Sequence, residues 1–305
     1  MHIANPIYDV VFKYLLDDNK VAKLLLSAII GEKIEELDFS AQERTVEVSQ
    51  STKESPPLTV CRFDFSAKVK TEKGFKTIGI ELQKAKFIAD LIRFRRYLGL
   101  HYQNPDNNYL EVVEQKKKGK KNKKQQDPKQ VEKPRQIYCI YFLAYGMDLP
   151  ACPVLKVDYK VQDVFSGDEF PANGEFVSSL HHRSWIVQIN ELKEHRRNEL
   201  EKILSVFDQS TITNLRYILD VDEEFFPEAY REIIRRLRKA MEDPKKRREM
   251  ELEDEIINVL QDKERTIAEQ GNTITEQGNT IATLQNDNQA LQKRIAELER
   301  ALGSK

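Results

Sequence analysis

The sequence predicts an α/β protein, with helices layered around one mixed sheet, and three observations lead there. A stretch from Thr59 to Gln83 alternates apolar and polar residues with a period of two on either side of a short turn. A nearly continuous apolar run rich in β-formers, Ile137 to Tyr145, reads as a strand buried on both faces. Segments with helical spacing lie on both sides of these strands in the chain.

In chain order, Asn5-Pro6 reads as a helix opening, with Asn as cap and Pro at the first helical position, and the helix is expected to run to about Leu16. Asp18 or Asn19 then caps a second helix, which presents Val21, Leu24, Leu25, Ala28 and Ile29 inward and stops at Gly31. Asp9 and Lys13 are four apart on the first helix, a spacing that suits a solvent-facing ion pair. Glu43 to Ser49 reads as a short strand, followed by a polar connection.

The hairpin comes next. Phe63, Phe65, Ala67 and Val69 share one face, with Asp64, Ser66 and Lys68 on the other. Beyond the turn at Thr71–Gly74, Ile78, Ile80 and Leu82 form the apolar set, opposite Thr77, Gly79, Glu81 and Gln83. Centring the turn between Glu72 and Lys73 sets Asp64 directly across from Glu81. Opposed carboxylates repel by roughly 0.2–1 kcal/mol. A hard cation such as Mg²⁺, which takes carboxylate oxygens, would reverse that sign. The plain alternative is a pair of exposed acids on a solvated sheet face.

A helix from about Ala85 to Tyr102 should carry Phe87, Leu91, Phe94 and Leu98 along one stripe and Arg93, Arg95 and Arg96 elsewhere. Between it and the central strand, from about Asn104 to Pro134, the chain includes KKKGKKNKK at Lys116–Lys124 and reads as an unstructured loop. Such a cluster suits sequence-independent contact with nucleic-acid phosphates, or simple solubility. Strand-like pieces follow from Val154 to Leu192, with Trp185 expected in the core. His181 and His182 are adjacent, so they project to opposite sides of a strand and make a poor metal pair.

From about Lys193 the pattern turns helical, with Leu200, Ile203, Leu204 and Phe207 on one face, then a helix from Phe225 to Met241. Asp243-Pro244 stops it and starts the last helix. That helix carries heptads. Leu260, Ile267, Ile274, Ile281, Asn288, Ile295 and Leu302 occupy one core position, and Gln270, Gln277, Leu284, Leu291 and Leu298 the other. Isoleucine at a, leucine at d and one a-position asparagine favour a parallel two-stranded coiled coil, hence a homodimer, the plain alternative being a single exposed helix that is only partly formed. The near-copies TIAEQGN and TITEQGN place Gly271 and Gly278 in the helix, each costing about 1 kcal/mol against alanine.

A chain of 305 residues with 40% hydrophobic residues can bury a substantial core. Its net charge is −1. Cys61, Cys139 and Cys152 have no metal-ligand spacing and suit a reducing compartment, and no run of 18 apolar residues occurs. A cytoplasmic protein outside the membrane is expected.

DVVFK (Asp9–Lys13), RFDF (Arg62–Phe65), GIELQ (Gly79–Gln83), RRY (Arg95–Tyr97) and INELK (Ile189–Lys193) together resemble the PD-(D/E)XK nuclease-family transposases, the group that includes recombination-promoting nucleases. The similarity covers roughly residues 1 to 195. It implies a restriction-endonuclease-like core and Mg²⁺-dependent DNA hydrolysis, with Mn²⁺ as a substitute. On that resemblance the nuclease-like core spans 1–155, with a basic insertion at about 104–135. A β-rich extension covers 156–195, a helical region 196–243, and a long helix with the coiled coil 244–305.

Residue by residue, the resemblance assigns Asp64 and Glu81 as metal-binding acids, Leu82 as a carbonyl ligand, Gln83 as the third motif position and Asp9 as the acid of the leading helix. Lys13 matches the same leading motif. Gln83 stands where the superfamily has lysine; a neutral amide can orient water but brings no positive charge. Arg96 on the following helix is the expected cation, with Lys84 on the other strand face. The expected function is a mobile-element or recombination-type endonuclease acting on DNA as a dimer. The alternative is a catalytically idle relative serving as a DNA-binding or scaffolding module.

Overall fold

The computed structural model describes residues 1–40, 65–84, 90–113, 129–146, 148–171, 174–193 and 195–302. Asp64, the 43–49 segment, Cys61, Phe87 and the Lys116–Lys124 cluster lie outside the described residues.

The chain divides into a compact unit, Met1–Glu253, and a second unit, Asp254–Lys305. In order, the first contains β1 (His2–Ala4), α1 (Asp9–Leu16), α2 (Asn19–Ile30), β2 (Ile34–Ser40), β3 (Phe65–Thr71), β4 (Gly74–Gln83) and α3 (Asp90–Gln103). These are followed by β5 (Asn108–Val113), β6 (Lys129–Pro134), β7 (Gln136–Leu143), β8 (Val154–Val157), β9 (Val161–Gln162), β10 (Glu169–Phe170), α4 (Glu175–Ser179) and β11 (His182–Gln188). α5 (Glu199–Leu204), β12 (Ile218–Asp220) and α6 (Arg231–Glu242) complete it, and α7 (Pro244–Leu302) begins in this unit and forms the second.

A six-stranded mixed sheet runs β2-β3-β4-β7-β11-β8. β4, β7 and β11 are parallel to one another, and the flanking pairings are antiparallel. The α/β expectation is met. The hairpin register is also the one the sequence predicts, with Phe65 across from Ile80 and Thr71 across from Gly74. Gly74 takes φ 107°, open to glycine and costly for other residues, which closes the turn.

One face of the sheet carries the main core. Ile78, Ile80 and Leu82 of β4 and Tyr138, Ile140 and Phe142 of β7 meet Val11, Phe12, Leu15 and Leu16 of α1 and the buried residues of α2, α5 and α6. Phe12 makes edge contacts with Phe65, Phe142 and Phe207. The other face is covered by α3, where Phe94, Tyr97 and Leu98 pack on Ile137, Cys139 and Tyr141. Burial on both sides explains the unbroken apolar run of β7.

Several local expectations change. α1 starts at Asp9, not at Asn5-Pro6, because Asn5 is drawn into other bonds. Its side chain accepts from the Ile7 amide and donates to Gln209 and the Arg216 carbonyl. β1 pairs with β12 across most of the chain, a pairing for which its three residues gave no periodicity to read. On α2, Asp18 is the cap and Gly31 the left-handed terminator, but the buried stripe includes Ala22, Leu26 and Ile30, with Leu24 and Ala28 only partly buried. The loop expected at 104–134 is ordered at both ends, where β5 and β6 form an antiparallel ladder from Asn108↔Pro134 to Val113↔Lys129. Tyr-Leu-Glu-Val-Val is β-forming, and lysine density outside that ladder masked it in the sequence. Two 3₁₀ turns, Glu223–Phe225 and Glu228–Tyr230, precede α6, which begins only at Arg231.

Among the described residues no helix is long and apolar enough to cross a membrane.

Candidate functional site

β4 occupies the middle of the sheet, so residues on its second face are buried under α3 instead of being solvated. Glu81 is 1% exposed and Gln83 8%. This removes the solvated-face alternative for Glu81. Both residues sit at the carboxyl end of β4, beside the carboxyl end of the parallel β7, with Glu81 in register with Tyr141 and Gln83 with Leu143. In open α/β sheets, ligands bind outside the carboxyl ends of the strands.

Oε1 of Glu81 accepts from Gln83 Nε2 at 2.8 Å and from an Arg93 guanidinium nitrogen at 3.2 Å. Arg93 is in the first turn of α3, whose Phe94 packs on Tyr141 with ring centroids 5.4 Å apart. α3 is therefore fixed by aromatic packing one residue away from the guanidinium that meets the carboxylate. Arg96, the cation expected from the sequence, is exposed, and Arg93 is the arginine that reaches Glu81. The period-3.6 stripe was legible, but which arginine faces the sheet depends on the rotation of α3 about its axis.

With Nε2 committed to Glu81, the Gln83 amide leaves its carbonyl oxygen able to accept from a water. Burial raises the Tyr141 phenol above its usual range, reinforced by the neighbouring Cys139 and Glu81. Burial likewise pushes the Cys139 thiol up to about 12, so it stays a neutral core residue.

The remaining sequence-predicted residues are placed as follows. Asp9 opens α1, and its carboxylate pairs with Lys13 at 2.6 Å with both side chains about half exposed. Its backbone N–H donates to Oε2 of Glu253 on α7 at 2.8 Å. Tyr8, the residue preceding α1, offers no side-chain cap, and Glu253 supplies the acceptor instead. Lys84, just beyond β4, lies over the Tyr8 ring at 3.2 Å from its centroid and 3.8 Å from Glu253 Oε1. Lys84 therefore stays on the α1 side of the sheet. The Leu82 side chain belongs to the main core on that same side. His181 stacks on Tyr159, and His182 shares a hydrogen bond with the Tyr102 hydroxyl.

The donors that the resemblance implies for a metal, two carboxylates and a main-chain carbonyl, are all hard oxygens and fit Mg²⁺ or Mn²⁺ better than a thiophilic ion. Among the described residues no group of three or more His, Cys, Asp or Glu side chains is arranged for a metal; Asp64 is outside that set.

A second polar cluster escaped the sequence reading. Lys76, 1% exposed, places Nζ 3.0 Å from Glu32 Oε2 and 2.8 Å from Thr71 Oγ1. The Tyr138 hydroxyl donates to Glu32 Oε1 at 3.3 Å, and an Arg183 nitrogen donates to that hydroxyl at 3.4 Å. Burial lowers the Lys76 ammonium despite the Glu32 carboxylate. At Glu32 burial opposes ionisation, but the Lys76 ammonium and Thr71 hydroxyl outweigh it and hold the carboxyl below its usual range. The signal was available: Lys76 shares the inward period with Ile78, Ile80 and Leu82.

No family model, curated protein or solved structure matches the chain.

Proposed function

We propose that the chain is a divalent-metal-dependent DNA endonuclease of the mobile-element or recombination type, built on a restriction-endonuclease-like core and dimeric through its C-terminal helix. The observation that carries this reading is the buried Glu81 carboxylate, two residues before Gln83 on one face of the central strand and at the end of the sheet where α/β proteins bind ligands. The described hairpin register adds support, since it is the one from which Asp64 was assigned to the position opposite Glu81. A deeply buried acid is costly unless its charge is used or paired.

In this reading Asp64, Glu81 and the Leu82 carbonyl would hold Mg²⁺ or Mn²⁺, which would supply Lewis-acid polarisation of the scissile phosphoryl oxygen. Gln83 orients the attacking water through its carbonyl oxygen. Arg93 provides the positive charge that glutamine lacks, beside the phosphate and within reach of Glu81. The Lys116–Lys124 cluster adds sequence-independent attraction for DNA phosphates. The α7 heptads bring two such sites together, one for each strand of a duplex. Free Cys139 and Cys152 suit a reducing, cytoplasmic setting.

One observation favours the second reading, a catalytically idle DNA-binding or scaffolding module: Arg93 already pairs with Glu81, as a purely structural ion pair would. Supercoiled plasmid incubated with Mg²⁺ or Mn²⁺ separates the two. Nicking by the wild type and its loss in an Asp64→Ala, Glu81→Ala double variant supports the nuclease. Plasmid left equally intact by both proteins, across metals and salt concentrations, leaves the idle reading.

A further inference from the structure

Two outgrowths rise from the same end of the main sheet, at the amino ends of the parallel strands β7 and β11. The β5–β6 ladder runs directly into β7, since β6 ends at Pro134 and β7 opens at Gln136. The β9–β10 hairpin follows β8, whose Val157 pairs with Ser184 near the start of β11, and His182 of β11 is in register with Ile137 of β7. His181 stacked on Tyr159, and Arg183 Nε donating to Asp158 Oδ1 at 3.0 Å, hold the root of the hairpin there.

The hairpin turns its apolar side chains outward. Phe165 is 98% exposed and Val164 91%, and Phe170 of β10 is exposed as well. The tip is ordered by its own polar groups instead. Asp163 Oδ1 accepts from the Phe165 and Ser166 amides, each at 2.7 Å, the Gly167 amide donates to the Asp163 carbonyl at 2.9 Å, and Ser166 Oγ donates to Asp168 Oδ2 at 2.8 Å. Apolar side chains held on a pre-ordered projection mark an interaction surface, because a partner has little backbone left to order.

The charge around the tip narrows the partner. Residues 161–170 hold three acids, Asp163, Asp168 and Glu169, and no basic residue. The Ser166 and Phe165 amides hold the Asp163 carboxyl below its usual range. These carboxylates repel phosphates, whether of a nucleic acid or of a lipid surface, and suit a protein face that is apolar with positive surroundings.

The β5–β6 ladder carries such a face. Tyr109 packs on Phe75 with ring centroids 4.5 Å apart, which anchors one side of the ladder. Leu110 and Val112 lie on the other side, both more than half exposed. Glu132, across from Leu110, is engaged by the Asn108 amide at 2.9 Å. Residues 108–134 hold nine lysines against four acids. The exposure of both apolar pairs shows that they do not cover one another within one chain.

We propose that a second copy of this chain covers them, the β9–β10 tip of one protomer seating on the face of the β5–β6 ladder that carries Leu110 and Val112 in its partner. With both outgrowths at one end of the sheet, a two-fold axis lets each hairpin meet the other protomer's ladder in a single reciprocal interface. Hairpin against hairpin would oppose like charges, and hairpin against ladder pairs opposite ones. This interface is separate from the α7 heptads and does not rest on the nuclease reading.

The test uses the full chain with its heptads broken by Ile281→Asp and Leu284→Asp, in buffer free of metal and DNA. Sedimentation should show a monomer–dimer equilibrium by about 50 µM, weakened about tenfold or more by Phe165→Asp and by Leu110→Asp, each confirmed as folded by circular dichroism. With p-benzoylphenylalanine in place of Phe165 and an isotopically heavy second copy, irradiation should join light and heavy chains at peptides containing Leu110 or Val112. A monomer throughout that concentration range overturns the proposal. So does undiminished association in the folded Phe165→Asp protein, or cross-linking confined to a single chain or to another surface. Where Phe165→Asp does not fold, Leu110→Asp and the cross-link decide.

Discussion

The guanidinium of Arg93, in the first turn of α3, lies 3.2 Å from Oε1 of Glu81, a carboxylate enclosed at the carboxyl end of β4. Removing the guanidinium leaves the acid its bond from Gln83 but takes away this positive charge. Arg93→Ala should destabilise the protein by about 1–2 kcal/mol in urea unfolding, less than a fully buried pair would lose because Arg93 is itself partly exposed. If Glu81 is a metal ligand, millimolar Mg²⁺ should raise the melting temperature of Arg93→Ala more than that of the wild type, because the ion replaces the lost charge. An equal response in both proteins would show that the pair is only structural.

Lys76 and Glu32 form a buried ion pair on the opposite face of β4. Lys76→Ala should cost about 3–5 kcal/mol, since it leaves Glu32 charged and largely enclosed beside Thr71 and Tyr138. The double variant Lys76→Met, Glu32→Leu should recover most of that loss, as neither charge then needs a partner. A double-mutant cycle by chemical denaturation measures the coupling.

His101 gives a pH dependence whose sign is fixed. Its folded pKa, near 4, lies below the unfolded value near 6.5, so between these limits the unfolded chain binds the extra proton. Stability is therefore retained above about pH 6.5 and falls on acidification toward pH 4, by at most roughly 3 kcal/mol. Burial shifts His182 in the same direction and adds to the slope. His101→Gln should flatten the curve of urea midpoint against pH in this window. An unchanged slope would place the titrating group elsewhere.

Exposed isoleucine and leucine along α7, from Ile267 to Leu298, leave the tail's apolar stripe without a cover in a single chain. A parallel dimer would align Arg294 with Glu299 of its partner in the heptad frame, so Arg294→Glu should shift sedimentation toward monomer and the Arg294→Glu, Glu299→Arg pair should restore the dimer. Gly271 and Gly278 have open space where a Cβ would go, and neither needs a positive φ. Converting both to alanine should stabilise the tail by about 1 kcal/mol per site, read as a higher melting transition.

The sequence by itself determined the features that depend on local periodicity and turn chemistry. Those are the Phe65↔Ile80 register, the Gly74 turn, the two-sided burial of β7, a helix cap at Asp18 or Asn19 with its Gly31 terminator, and the heptads of α7. Each is set by residues a few positions apart, where alternation, φ preference and side-chain size act directly. Tertiary structure decided what depends on partners distant in sequence: that Glu81 is enclosed, that Arg93 and not Arg96 meets it, and that Lys76 finds Glu32. It also decided that Glu253 caps α1 across 244 positions, where Asn5 had been the local candidate. The reason is geometric. Period two tells which face of β4 a residue occupies, but whether that face meets water or α3 depends on the packing of whole elements, and with it the cost or use of a charge placed there.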